Sequence, residues 1–296
     1  MRIGIGLPTR SDAIDGADLL AWAIRADELG FASLAVLDRV VDRSHEPLVT
    51  LSAVAGVTRR TRLLASIVLA PTRETTLLAR QAASLDALSG GRLSLGVGVG
   101  VRRDDYAATG TSFERRGRRL DEQLPTLRRL WAGEPLGDGV GPIGARPVGP
   151  HGPELLIGGY VPAVARRVAA HGDGFMAPGG GQPDRMAALW ASILEAWTAA
   201  GRTGRPRWVG SSYAALGPAA DEQAAAYIRS AYAFDPGLAE RRLRGIPTTP
   251  GAIRDLVERQ AGLGVDEFVF RPCAADPALP DRLAEVVATI PAASLG

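Results

Sequence analysis

The 296-residue chain has one cysteine and three histidines, and neither lysine nor asparagine occurs, so all 34 basic residues are arginine. A lone Cys273 excludes an internal disulfide framework and favours a reducing compartment. Lysine-free composition goes with a GC-rich coding bias, so an arginine at any one position says little by itself. No His, Cys, Asp and Glu cluster has metal-ligand spacing, and there is no G-x-S-x-G turn and no motif of paired carboxylates. A metal centre, a serine hydrolase and a generic lyase or hydrolase are therefore disfavoured. No apolar run reaches the roughly 18 residues needed to cross a bilayer, and "MRIGIGLP" has no charged n-region or cleavage site. A cytoplasmic protein without a membrane partner is expected. The net charge is only +2, and the arginines are scattered, which argues against a nucleic-acid partner. Their densest cluster, "FERRGRRLDEQL", also holds Glu114, Asp121 and Glu122 and reads as a solvated helix face.

What the chain does have is regular alternation. Short β-rich runs lie at about 2–7, 33–37, 62–69, 92–97, 154–158, 173–176, 206–214 and 266–270, with helical patterns between them. Eight strands close a barrel, whereas an open doubly wound sheet stops near six. The expected fold is therefore α/β, a single (β/α)8 TIM barrel over 1–296. Leu19, Leu20, Ala23, Ile24, Ala26 and Leu29 mark the first amphipathic helix, which stops at Gly30. A helix over 114–131 should bend at Pro125. Residues 133–153 and "APGGGQPD" read as loops.

Within "SLDALSGGRLSLGVGVG" the fourth strand places Gly96, Gly98 and Gly100 at alternate positions. Each glycine costs a strand roughly 0.5–1 kcal/mol against alanine, so the bare backbone needs a use. Active sites of such barrels lie at the C-terminal strand ends, where Gly98 and Gly100 would let a flat ring or a phosphate approach. The alternative is tight packing inside the barrel. The Gly158-Gly159 turn feeds a helix opened by Pro162, a geometry that suits a phosphate, with Tyr160 beside it. His45, in the loop after strand 2, is a candidate proton donor, with an idle loop histidine as the alternative. Arg102, Arg103 and Tyr106 are candidate phosphate or substrate contacts. His151 reads as exposed, and His171 as the end of a helix.

The stretches "RADELGFASLAVLD", "LLARQAASLDALSGGRLSLGVGVG" with "FERRGRRLDE", "IGGYVPAVARRVAAHGDGF" and "GIPTTPGAIRDLVERQAGLGVDEFVF" resemble the luciferase-like monooxygenase superfamily over nearly the whole chain. Members are TIM barrels that bind FMN or the deazaflavin coenzyme F420. The resemblance implies a non-prolyl cis peptide at Ser66-Ile67 behind the coenzyme ring. It also implies a site acid at Asp38 and coenzyme-contacting backbone at Gly98, Gly100, Gly158 and Gly159. Two departures stand out: Arg39 replaces the histidine that follows the aspartate in many members and is the candidate catalytic charge clamp in its place, and Val101 replaces the glutamate of the sugar-phosphate dehydrogenases. Sugar-phosphate oxidation is therefore not expected. The resemblance implies an F420-dependent oxidoreductase acting on a small organic substrate, with a homodimer expected because relatives often dimerise. F420 is preferred because the "PAVARRVAAHGDGF" stretch closely resembles F420-dependent relatives, long insertions are absent, and the composition fits GC-rich actinobacteria. The alternatives are an FMN-dependent monooxygenase and a coenzyme-binding protein without turnover.

Overall fold

A computed structural model describes residues 1–9, 14–179 and 183–295. Along the chain run β1 (Arg2–Gly6), α1 (Gly16–Glu28), β2 (Ser33–Val36), α2 (Pro47–Val57), β3 (Arg62–Leu69), α3 (Thr75–Leu88), β4 (Leu93–Gly98), α4 (Arg103–Ala108) and α5 (Arg116–Trp131). They are followed by β5 (Glu154–Gly158), α6 (Ala163–His171), β6 (Gly174–Met176), α7 (Pro183–Ala199), β7 (Arg207–Ala214), α8 (Ala220–Ala231), α9 (Pro236–Leu243), α10 (Pro250–Gly262), β8 (Glu267–Pro272), α11 (Leu279–Ala288) and α12 (Ala292–Leu295). All eight strands are parallel and pair in sequence order, and β1 closes the ring on β8. The (β/α)8 barrel expected from the alternation is the observed fold.

Local chemistry starts the helices. Asp15, Glu46, Glu74 and Thr249 each accept a hydrogen bond from a first-turn N–H, and Pro47 and Pro250 occupy first-turn positions. The helix at Pro125 continues past it to Trp131. Residues 133–153 hold no strand or helix, and part of the "APGGGQPD" loop, 180–182, lies outside the described residues. Two boundaries differ usefully from expectation. β8 extends to Pro272 because β7 still pairs with it at Tyr213↔Arg271 and Ala214↔Pro272, which carries Arg271 to the barrel mouth. The chain also inserts α8 and α9 between β7 and α10, beyond the simple repeat.

The barrel interior is layered. At the N-terminal end Arg207 pairs with Glu154 and Glu267, Ser33 donates to Glu267, and Arg62 reaches Glu154 at 3.4 Å. Above lies a buried apolar plug of Ala35, Leu64, Leu156, Met176, Val209 and Val269, against which Ile67 packs. Between strands and helices sits the larger core.

Ile67 explains the glycines. The Ser66–Ile67 peptide is cis, and the β3–β4 register shifts between Ala65 and Val68. The Ile67 side chain then lies along β4 and β5. A Cβ at Gly96 would stand 2.5 Å from the Ala65 carbonyl oxygen and 3.1 Å from Ile67 Cγ2, one at Gly158 would stand 2.9 Å from Ile67 Cγ2, and one at Gly98 would overlap Ile67 Cδ1. The bare face of Gly98, expected to admit a ring, is filled by Ile67. The tight-packing alternative describes Gly96 and Gly98 in this structure.

The Ile67 packing and a buried carboxylate of the fold each make a testable prediction. Gly98→Ala should destabilise the protein by about 1–3 kcal/mol through overpacking. Combining it with Ile67→Ala should give a coupling of about 1 kcal/mol or more in a denaturant-unfolding double-mutant cycle, whereas additive effects would dissociate the two residues. The other concerns Asp27, buried at the end of α1, whose carboxylate accepts the N–H groups of Arg59, Arg60 and Thr61 and so ties α1 to the start of β3. Burial pushes this carboxyl up, but the Thr61 hydroxyl and the three N–H groups outweigh it and hold it at about 2, below the ordinary 3.8. A depressed folded value stabilises above the unfolded one. About 1–2 kcal/mol, after solvent screening, should be present above pH ~4 and lost as pH falls towards ~2, and Asp27→Asn should remove that pH dependence from unfolding curves.

Candidate functional site

The C-terminal strand ends surround a cavity of about 320 Å³. Its floor carries Ser66 and Ile67, which cap the apolar plug, with Met176 beside them. One wall comes from the ends of β4 and β5, with Gly100, Gly158, Gly159 and Tyr160. Gly100 (φ 62°) and Gly159 (φ 149°) adopt backbone that disfavours a side chain, and a Cβ at Gly159 would also meet Val164 Cγ2 at 2.9 Å. Asp38 and Arg39 line the β2 side, and Tyr213, Tyr227, Tyr232, Phe234, Arg242 and Arg271 close the side opposite.

Asp38, nearly buried, accepts Leu69 N–H at 2.9 Å and Arg73 Nη2 at 2.9 Å. Burial pushes its carboxyl up, against the pull of Arg73 and the Leu69 N–H. Arg73 continues the chain to Glu46 at 2.7 Å, and the other Glu46 oxygen caps α2 at Val49 N. His45 does not join. It is solvent-exposed and off the cavity lining, at the point where the chain turns into α2. Arg39 lines the cavity but is held by Asp105 at 3.1 Å, and Asp105 also accepts the N–H groups of Val40 and Val41. This buried carboxylate fastens the β2 loop to α4.

The segment after β4 separates its candidates. Arg102 lines the cavity, paired with Asp104, its guanidinium 4.9 Å from the Phe234 ring centre. Arg103 turns out to solvent, paired with Glu114 at 2.6 Å. Tyr106 is buried with its hydroxyl on the Val99 carbonyl at 2.5 Å, so it braces the strand mouth and contacts no ligand space. His151 is exposed, and His171 ends α6.

The cavity is rich in cations. Arg39 and Arg102 are paired as above, and Arg167 is held by Asp121 at 2.8 Å. Arg116, Arg242 and Arg271 also line it, and none has a carboxylate within 4 Å among the described residues. Arg116 Nε, Arg242 Nε and Nη1, and Arg271 Nε are buried without hydrogen-bond partners. All three are partly buried and already donate to neutral acceptors, Arg116 from Nη1 to the Phe113 carbonyl at 2.7 Å, so their remaining N–H groups, which no carboxylate meets, fit an anionic ligand. Arg116 is adjacent to Gly117, whose carbonyl accepts Arg167 Nη2 of α6 at 3.0 Å. The α6 N-terminus has neither a side-chain cap nor an acidic residue in its first turn, which leaves the positive end of its dipole open to an anion.

Sequence reading missed Arg116, Arg242 and Arg271, because in an arginine-only chain nothing marks the unpaired ones. The available signal was aromatic: "YIRSAYAF" sets Tyr227, Tyr232 and Phe234 close together after strand 7. A smaller cavity of about 180 Å³ adjoins at β1 and β8, sharing Leu37, Tyr227 and Arg271 with the larger one. Cys273 lines it, its thiol pushed up by burial to about 12 and hence unreactive. Among the described residues no His, Cys, Asp and Glu group can hold a metal, and no helix is long and apolar enough to cross a membrane.

Comparisons with known proteins agree with this geometry. The chain is 36% identical over 168 residues to an uncharacterized protein of Mycobacterium tuberculosis, covering 53% of this chain and 56% of that one. The match thus spans little more than half the length of that relative. An F420-dependent glucose-6-phosphate dehydrogenase of Kribbella flavida is 32% identical over 223 residues, 69% of this chain and 66% of its own. Among solved structures, the monooxygenase RslO1 of Streptomyces bottropensis superposes with a TM-score of 0.76 at 24% identity, over 97% of this chain and 98% of that one. An F420-dependent secondary alcohol dehydrogenase superposes with a TM-score of 0.77 at 18% identity, over 100% and 99%. The oxygenating constituent of 3,6-diketocamphane monooxygenase of Pseudomonas putida, in complex with FMN, gives 0.72 at 16%, over 100% and 99%. These structural likenesses establish the fold, and the family model for luciferase-like monooxygenase matches residues 1–274. The chain belongs to the luciferase-like monooxygenase family.

Proposed function

We propose that the protein is an oxidoreductase that uses coenzyme F420 to pass hydride to or from a small organic substrate. One observation carries this reading. The flat apolar floor at Ile67 lies beside a cationic pole made of the Gly158-Gly159 turn, the uncapped α6 N-terminus and unpaired Arg116. The residues fit a tricyclic ring joined to a phosphate: Ile67 would support the ring, and Arg116 with the α6 N-terminus would take the phosphate. When bound, the coenzyme supplies two-electron hydride chemistry, and the protein supplies binding, orientation and exclusion of water.

The remaining lining has matching tasks. Asp38 and Arg73 fix the end of β3 and with it the floor. The Asp105 clamp holds Arg39 and the β2 loop over the cavity edge. Tyr160 and Tyr213 keep their protons at neutral pH, because burial pushes both phenols up, Tyr213 to about 12. They are hydrogen-bond donors to a substrate oxygen. The relative of Kribbella flavida favours F420 over FMN, and so does Arg102 at the rim, which suits the anionic tail that FMN lacks.

Titration of the purified protein with each oxidised coenzyme at one moderate salt concentration tests this. F420 should bind at least about tenfold tighter than FMN, and Arg116→Gln should weaken F420 by about ten- to a hundredfold, the effect of one charge-assisted hydrogen bond. FMN binding tenfold tighter would transfer the assignment to an FMN-dependent monooxygenase, and binding of neither would overturn the reading.

A further inference from the structure

Arg116 and α6 satisfy one anion, yet two more unpaired guanidinium groups stand across the cavity. Arg242, on the inserted helix α9, donates from Nη2 to the Tyr160 hydroxyl at 2.5 Å, leaving Nε and Nη1 buried and unpartnered. Its guanidinium carbon lies 5.6 Å from the Tyr232 ring centre and 6.0 Å from that of Tyr160. Arg271 reaches across from β8 and donates from Nη2 to the Ser66 carbonyl at 3.2 Å and hydroxyl at 2.7 Å, while its Nε has no partner. Neither arginine has a carboxylate partner among the described residues.

The surroundings are aromatic. Of the five tyrosines in the chain, Tyr160, Tyr213, Tyr227 and Tyr232 line this cavity. Tyr213 packs against Tyr227 at 5.3 Å between ring centres, and edge-on against Tyr232 at 6.3 Å, with the two hydroxyls 3.3 Å apart. Phe234 adds another ring at the rim. Burial pushes the phenols of Tyr160, Tyr213 and Tyr232 up, so they present neutral O–H donors beside the two cations.

Resting on the coenzyme reading above, we propose that Arg242, Arg271 and these tyrosines form the substrate subsite, and that the substrate is an aromatic molecule bearing an oxyanion. The unpartnered N–H groups take the oxyanion, since a guanidinium fork matches carboxylate and phosphate alike. The tyrosine faces take the ring in offset or edge-on contact. Arg271 also joins this subsite to the floor, because the same guanidinium holds Ser66.

The test uses protein loaded with F420, whose binding is read first by its absorbance. Benzoate, phenyl phosphate, benzyl alcohol and cyclohexanecarboxylate are then titrated calorimetrically. At least one of benzoate and phenyl phosphate should bind about tenfold or more tighter than both the neutral alcohol and the non-aromatic acid, and their order tells carboxylate from phosphate. Arg242→Gln should weaken that aromatic anion about tenfold or more while changing the F420 affinity less than about threefold. If that variant does not fold, Arg242→Lys serves, keeping the charge but losing the fork. Equal binding of benzyl alcohol or cyclohexanecarboxylate, no binding of any probe up to about 10 mM, or a variant that loses F420 and keeps the probe would each overturn the proposal. Failure of the coenzyme reading appears separately, as no F420 binding before any probe is added, and the same titrations on coenzyme-free protein still decide the subsite.

Discussion

The seating of Ile67 governs the upper half of the barrel. Its side chain lies across two neighbouring strands, and no Cβ fits beneath it at Gly98 or Gly158, while the Ala65 carbonyl oxygen blocks one at Gly96. Interiors are packed closely enough that a single methyl group in that space forces something to move. The intrinsic strand cost of those glycines is therefore offset by a packed interface. The result is a floor that is apolar and continuous with the barrel plug below. A ligand above it meets Ile67 and not bare backbone.

Charge sets the second constraint. Several arginines around the mouth are tied to carboxylates that have structural work: Asp105 fastens a loop, and Asp121 locks α5 to α6 through Arg167. Arg116, Arg242 and Arg271 are outside that bookkeeping, with buried N–H groups lacking protein acceptors. Because they line the cavity with donors that no carboxylate meets, these groups bear more directly on ligands than the paired ones. They lie at two places, one beside the α6 N-terminus and one among the tyrosines, which is why two anionic groups enter the functional reading.

Much of the site was visible in the sequence, for uneven reasons. Gly100, Gly158, Gly159 and Tyr160 were found because strand ends in a barrel share one rim, and all four line the cavity. Ser66, Ile67 and Asp38 came from family resemblance, and they stand at the floor and its edge. Gly98 had the right address and a different role, since a glycine pattern reports that space is needed without saying what fills it. His45 and Tyr106 were judged by distance along the chain from a strand end, but the start of α2 turns one outward and the Val99 carbonyl holds the other inside. Arg242 escaped because it arrives on α9, far in sequence from any strand end.

The sequence by itself determined the barrel, its eight strands and the rim that lines the cavity. Those features follow from period and glycine position, both of which are local along the chain. Only the tertiary structure decided that Ile67 fills the glycine face, that β8 continues to bring Arg271 over Ser66, and which arginines lack carboxylates. Each of these depends on contacts between residues remote in sequence, Arg271 with Ser66 and Arg242 with Tyr160 among them. Such pairings are fixed by barrel closure and by the way α9 folds back, and no local pattern encodes them.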